Sequence, residues 1–181
     1  MKELIVVRHA KSSWQDDMLD DFHRPLNTRG RSAAPLMANW LRAQQISPDL
    51  LLLSPAKRTK ETWTLFNKAG LQAGDVQEVD GLYLAGLAFL MDLLKKLPSE
   101  AQQVMVIGHN PGLEFLIDAL CGGVPPVLEA RVHMFLEKFP TCGVVGFRFE
   151  IDCWSALAPS MGRIYVATSP KLLTAEGQMD L

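Results

Sequence analysis

Apolar residues cluster into three short, unbroken runs at residues 4–7, 50–53 and 104–107. Each run is bounded by charge, proline or glycine, and each lacks the alternation of a half-solvated strand. Such runs predict strands buried on both faces. Between them the apolar spacing changes to a helical one. Ala33, Leu36, Met37, Trp40 and Leu41 recur at intervals of three and four, which predicts a helix over about 30–44 with Thr28 as its N-cap. Thr59, Trp63 and Phe66 mark a second helix over 56–68, residues 87–97 a third that Pro98 ends, and Pro111 opens a fourth. Weaker apolar stretches at 76–79, 143–149 and 164–167 predict further strands. From about residue 174 the pattern fades, and a frayed tail is expected.

Strands alternating with helices define an α/β chain. The expected architecture is a single-domain three-layer α/β/α sandwich over residues 1–181, with a mostly parallel central sheet and helices on both faces. No repeat, low-complexity tract or linker interrupts it. Parallel strands joined by right-handed crossovers place the carboxyl ends of the three strong runs along one edge, where ligands bind in open α/β sheets.

Composition narrows the function classes. The 181 residues are 48% hydrophobic and 21% charged, with a formal net charge of -2, an ordinary balance for a folded protein. That balance offers no general attraction to nucleic acid or anionic lipid, so anion chemistry must come from a few placed cations. Cys121, Cys142 and Cys153 are scattered, without a Cys-x-x-Cys spacing, and read as reduced thiols. A zinc site from Cys121 and His133 would need two more ligands at sensible spacing, and none are present. The apolar run near the N-terminus is too short for a signal peptide or a membrane span. A cytoplasmic protein that needs no metal or cofactor is expected.

The residues that follow the three strong runs are Arg8 and His9, then Ser54-Pro55-Ala56-Lys57-Arg58, then Gly108-His109-Asn110-Pro111. Two arginines and two histidines are thus delivered to the same edge. The guanidinium fork donates paired hydrogen bonds to phosphate oxygens, and helix starts after Pro55 and Asn110 add N–H groups and favourable dipole ends. Asn110 also stands where a cap is wanted. Arg58 near a helix start opposes the helix dipole, which suggests a compensating anion; a salt bridge to Glu61 or Glu114 is the alternative.

Arg8-His9-Ala10-Lys11-Ser12-Ser13-Trp14, Asp21-Phe22-His23-Arg24-Pro25-Leu26, Thr28-Arg29-Gly30, Ser54…Arg58…Thr62 and Gly108-His109-Asn110-Pro111 together resemble the histidine phosphatase superfamily, whose fold is phosphoglycerate mutase-like. The similarity runs to roughly Tyr165 and is greatest to the SixA-type phosphohistidine phosphatases. It implies a two-step transfer in which His9 attacks phosphorus and water then releases phosphate from a phosphohistidine. Arg8, Arg58 and His109 would hold the non-bridging oxygens, and Ser12 and Arg24 would reach the substrate. Asp21 is the favoured general acid, with Asp80 as its rival and Glu78 also in range.

Substrate is left open between a phosphorylated protein or peptide, which an open, shallow site would favour, and a small phosphomonoester. A phosphomutase and a non-catalytic phosphate-binding module are the alternatives. Arg24 has a second reading as a salt-bridge partner of Asp16, Asp17, Asp20 or Asp21. Gly30 is read as letting the helix pack close to the sheet, Trp40 and Trp63 as core, and Trp14 as shaping its loop. His23 and His133 receive no role, and the oligomeric state is not determined by the sequence.

Overall fold

The structure, a computed structural model, describes residues 1–179, with side chains through residue 175. Seven strands form one sheet: β1 (Lys2–Arg8), β2 (Leu50–Leu53), β3 (Asp75–Glu78), β4 (Gln103–Gly108), β5 (Cys121–Gly123), β6 (Val144–Phe149) and β7 (Gly162–Thr168). Their spatial order is β3-β2-β4-β1-β6-β7-β5. β1 and β2 both pair parallel to β4, β3 pairs parallel to β2, and β5 pairs parallel to β7. Only β6 is antiparallel to its neighbours. The mostly parallel sheet expected from the sequence is present.

Both faces are covered, which explains the unbroken apolar runs. Ile5, Val7, Leu51, Leu53, Met105 and Ile107 pack with Ala34, Met37 and Leu41 of α1 (Thr28–Ala43) and Phe66 of α2 (Lys57–Lys68). On the opposite face Leu4, Val6, Leu52, Val104 and Val106 meet Leu90 and Leu94 of α3 (Leu87–Lys95), Leu113, Leu116 and Ile117 of α4 (Gly112–Leu120), and Val132 and Phe135 of α5 (Glu129–Glu137). Burying each such side chain stabilises the fold by about 1.5–3 kcal/mol before entropy is counted. Trp40 and Trp63 lie at the margin of the first layer, partly buried.

Several boundaries differ from expectation. Asn27, not Thr28, caps α1: its Oδ1 accepts from the Gly30 N–H at 2.9 Å. Gly30 is required because a Cβ there would lie 2.2 Å from the Lys11 carbonyl oxygen, so the close approach is to the loop after β1 and not to the sheet. β5, α5 and α6 (Pro170–Met179) were not expected. α5 fully buries only Val132 and Phe135, and the Val124-Pro125-Pro126 sequence ahead of it breaks any periodic signal. α6 continues through Met179, past the position at which fraying was expected; residues 180–181 of that tail lie outside the described residues. No helix of the described residues is long and apolar enough to cross a membrane.

Candidate active site

Register brings the site together. Val7 of β1 and Leu53 of β2 both align with Ile107 of β4, so Arg8, Ser54 and Gly108 end three adjacent parallel strands at one level. The chain then turns over this edge with Arg8-His9, Ser54 to Arg58, and His109. All of His9, Arg58 and His109 are buried, with 7%, 2% and 4% of their surface exposed. The His9 and His109 rings stand 5.1 Å apart between centroids.

His9 is fixed in one tautomer. Its Nδ1 lies 2.7 Å from the carbonyl oxygen of Ala10, which can only accept, so Nδ1 carries the proton. Nε2 therefore keeps its lone pair, and the Nε–H of Arg58 donates to it at 3.2 Å. The backbone holding His9 is equally constrained. Its N–H donates to Gly108, and its carbonyl shares with that of Arg8 the N–H of Cys142. The Ala10 N–H donates to Thr62 Oγ1, which itself donates to the Arg58 carbonyl. Burial, then the charges of His109, Arg58 and Arg8, push the His9 imidazole well below its ordinary value. It is neutral, and neutral imidazole is the nucleophilic form.

His109 is held differently. Its Nδ1 accepts from Arg58 Nη2 at 3.2 Å, which leaves Nε2 as the donor to Ser54 Oγ at 2.7 Å. Burial, and secondly the Arg58 charge, lower it to about 3. Arg8 is half-buried. Its Nη1 donates to the Phe139 carbonyl at 2.6 Å, while its buried Nε–H has no partner. Phe139 is in turn fixed by Glu114, whose Oε1 accepts its N–H at 2.9 Å. A buried donor left unpaired on a charged group is costly, and here it borders two further cation-bearing elements.

Asp21 joins this cluster from the loop after β1. Its Oδ2 accepts from Arg58 Nη2 at 2.9 Å and from the Tyr83 hydroxyl at 2.7 Å, and its Oδ1 accepts from Arg24 Nε and Nη2 at 3.0 and 2.6 Å. Burial raises the carboxyl's pKa, but the Tyr83 and Arg24 hydrogen bonds and the Arg58 charge outweigh it and hold the group far below the carboxylate range. Asp21 is thus ionised, whereas a general acid needs the proton. The anion that compensates Arg58 at the start of α2 is this carboxylate. Glu61 instead pairs with Arg31, and Glu114 serves Asn110 and Phe139.

The remaining expectations divide clearly. Ser12 Oγ accepts from Arg24 Nη1 at 2.9 Å, and the Arg24 guanidinium lies 3.4 Å over the exposed Trp14 ring, so these three residues shape the loop around Asp21. Among its four candidate carboxylates, Arg24 pairs with Asp21. Asp80 is exposed at the start of a short 3-10 turn (Asp80–Leu82), and Glu78 pairs with Lys60. His23 pairs with Asp20 on the surface. Asn110 does not cap α4. Its Nδ2 donates to Glu114 and to the Phe139 carbonyl, because that carbonyl must be oriented toward Arg8. Cys121 and His133 line a separate cleft beside α5, and among the described residues no group of three or more His, Cys, Asp or Glu could hold a metal ion. The contacts of Ser54, Tyr83, Glu114 and the Phe139 carbonyl were not anticipated; only Ser54 carried a signal, as a polar residue directly after a predicted strand.

Comparison with known proteins places this arrangement. The sequence model of the histidine phosphatase superfamily (branch 1) matches residues 4–83. An uncharacterised protein of Mycobacterium tuberculosis is 31% identical over 155 residues, covering 84% of this chain and 92% of that one. The phosphohistidine phosphatase SixA of Escherichia coli is 29% identical over 126 residues, covering 68% of this chain and 77% of its own. A solved structure of the protein histidine phosphatase SixA complexed with tungstate superposes with a TM-score of 0.74 at 24% identity, over 94% of this chain and 99% of that one.

Proposed function

This chain belongs to the histidine phosphatase superfamily and is a phosphatase by class, and we propose that it works through a covalent phosphohistidine on His9. The observation that carries the proposal is the pinned tautomer: the Nδ1–H donates to the Ala10 carbonyl, so the lone pair is on Nε2, where the Arg58 Nε–H holds it in the cluster. Nε2 attacks phosphorus, the bond from phosphorus to the leaving group breaks, and the leaving atom takes its proton from water. Water then attacks the phosphorylated His9, phosphate departs, and the lone pair returns to Nε2.

Arg8, Arg58 and His109 stabilise the charge on the non-bridging oxygens, which is most of what phosphoryl transfer asks of a protein. The unpaired Nε–H of Arg8 is a donor already desolvated for this task. As a phosphoryl dianion arrives, His109 Nδ1 takes a proton and Arg58 Nη2 turns from it to the anion. Asp21 acts as a positioning residue that holds Arg58 and Arg24, and the chemistry proceeds without a metal. A leaving imidazole is a better leaving group than an alkoxide and has less need of a general acid. The ionised state of Asp21 and the similarity to the E. coli phosphohistidine phosphatase therefore favour a protein phosphohistidine substrate over a small phosphomonoester.

The test is intact-mass analysis of quenched turnover, with chelator present, on a phosphohistidine protein and on an aryl phosphate. We expect an acid-labile adduct of about 80 Da, one phosphoryl group, that disappears in His9→Ala, with faster turnover of the phosphohistidine protein. An adduct that persists in His9→Ala would remove His9 from the mechanism, and faster turnover of the aryl phosphate would move the substrate to small phosphomonoesters.

A further inference from the structure

A cavity of about 760 Å³ opens beside the candidate active site, and no step of the proposed chemistry uses it. Its walls come from four places in the sequence. Lys11 lies in the loop after β1, Thr28, Arg29 and Ser32 on the first turn of α1, Thr141 in the turn before β6, and Ser169 and Lys171 at the start of α6. Three cations and several hydroxyls face the space, and among the described residues no carboxylate lines it. Lys11, Arg29 and Lys171 make no ion pair among the described residues. The first turns of both helices carry no acidic residue, so their dipoles add to the same positive field.

A second observation points to a ligand. Ser169 is 4% exposed and lines the cavity, yet among the described residues its hydroxyl makes no hydrogen bond; its backbone carbonyl accepts from the N–H groups of Leu172 and Leu173. On a largely buried residue that borders the cavity, this hydroxyl is a donor available to a bound acceptor. The surroundings therefore ask for an anion with several acceptor oxygens.

The position of the cavity identifies the kind of anion. Lys11 is two residues from His9, at most about 7 Å along an extended backbone. Thr141 lies between Phe139, whose carbonyl holds Arg8, and Cys142, whose N–H holds the Arg8 and His9 carbonyls. A ligand seated here is within a few peptide units of a phosphoryl group on His9. One tetrahedral oxyanion would fill little of the space and reach few of cations spread over three elements. Ala33, Leu36, Pro140 and Pro170 supply apolar wall for aliphatic stems.

Resting on the reading of His9 as the phosphoryl acceptor, we propose that this cavity is a docking site for an acidic peptide segment that flanks the phosphorylated residue of a protein substrate. Two or more carboxylates of the segment engage Lys11, Arg29 and Lys171, and the Ser169 hydroxyl donates to one of them. The enzyme thereby selects phosphoproteins whose modified residue lies beside an acidic stretch.

Binding can be separated from turnover. A fluorescein-labelled, unphosphorylated peptide rich in Glu and Asp is titrated with wild type and with His9→Ala, and compared by anisotropy with its Gln and Asn counterpart. We expect both proteins to bind the acidic peptide at low salt and to lose it as salt rises. We also expect Arg29→Glu/Lys171→Glu to weaken binding at least tenfold, and Lys171→Ala to do so partially. Turnover of an aryl phosphate should be unchanged in these variants. Binding intact in His9→Ala keeps the proposal independent of whether His9 is the nucleophile. Equal binding of acidic and neutral peptides, or an undiminished affinity in the charge-reversal variant, overturns it. So does saturation of the cavity by citrate or sulfate with no binding of the peptide, which would make it a small-anion site.

Discussion

The cluster at the strand ends and the cavity next to it are both built from cations, yet they treat those cations in opposite ways. Arg58 and Arg24 are buried and locked by Asp21, and Arg58 also touches both histidines. Arg29 and Lys171 are exposed and, among the described residues, make no ion pair. A locked guanidinium has lost most of its side-chain entropy during folding and loses little more when an anion arrives. A free one loses that entropy only when a ligand arrives, which suits recognition and gives weaker, salt-sensitive binding. Burial also lowers both histidines of the cluster and holds them neutral.

The severest way to break the contrast is to remove the proposed nucleophile. His9→Ala should lower turnover by at least about a thousandfold, as loss of a covalent catalyst does, while leaving acidic-peptide binding intact; steady-state rates and anisotropy check both. Asp21→Asn comes next. It removes the charge that holds Arg58 and Arg24, so kcat should fall about ten- to a hundredfold with little change in acidic-peptide affinity. Its pH–rate profile should not lose a limb, because an ionised Asp21 supplies no proton. A lost limb would restore it as the general acid.

Gly30→Ala tests the boundary between the two regions. A methyl group there meets the Lys11 carbonyl at 2.2 Å, and thermal melts should show a loss of about 1–3 kcal/mol, the usual effect of overpacking. Both regions should be perturbed, since Lys11 belongs to one and its loop supports the other.

Acid separates them most finely. His109 titrates at about 3 in the folded chain against an ordinary 6.5, so the unfolded chain binds the proton first. Its contribution to stability is complete above 6.5 and is lost as pH falls through that window toward 3. Sulfate binding to the cluster favours the imidazolium and takes up a proton, so its affinity should rise as pH drops from 7 to 5, by at most tenfold per unit. Sulfate inhibition measured across that range should steepen in wild type and flatten in His109→Gln. Acidic-peptide binding should hold constant over the same interval, and a parallel rise would show that a histidine contributes to it.

Much of this was legible in the chain itself. The runs at 4–7, 50–53 and 104–107 became β1, β2 and β4 because continuous burial on both faces leaves a local signature. Arg8, His9, Arg58 and His109 were legible because each follows one of those strands within a few residues. What escaped notice was held by contact across the sequence: Asp21 to Arg58 spans 37 positions, Ser54 to His109 spans 55, and Arg8 to Phe139 spans 131. Asn110 misled for the same reason, since its cap position was visible and the Phe139 carbonyl that claims its amide was not.

By itself the sequence determined the layered α/β architecture, the edge at the strand ends and the four residues that stand there. These follow from periodicity and from strand ends, which local residue order encodes. Only the tertiary structure decided which nitrogen of His9 is free, that Asp21 is held as a carboxylate, and that Lys11, Arg29 and Lys171 border one space. Tautomer, charge state and cavity depend on which groups meet after folding, and burial then multiplies the energetic weight of each meeting.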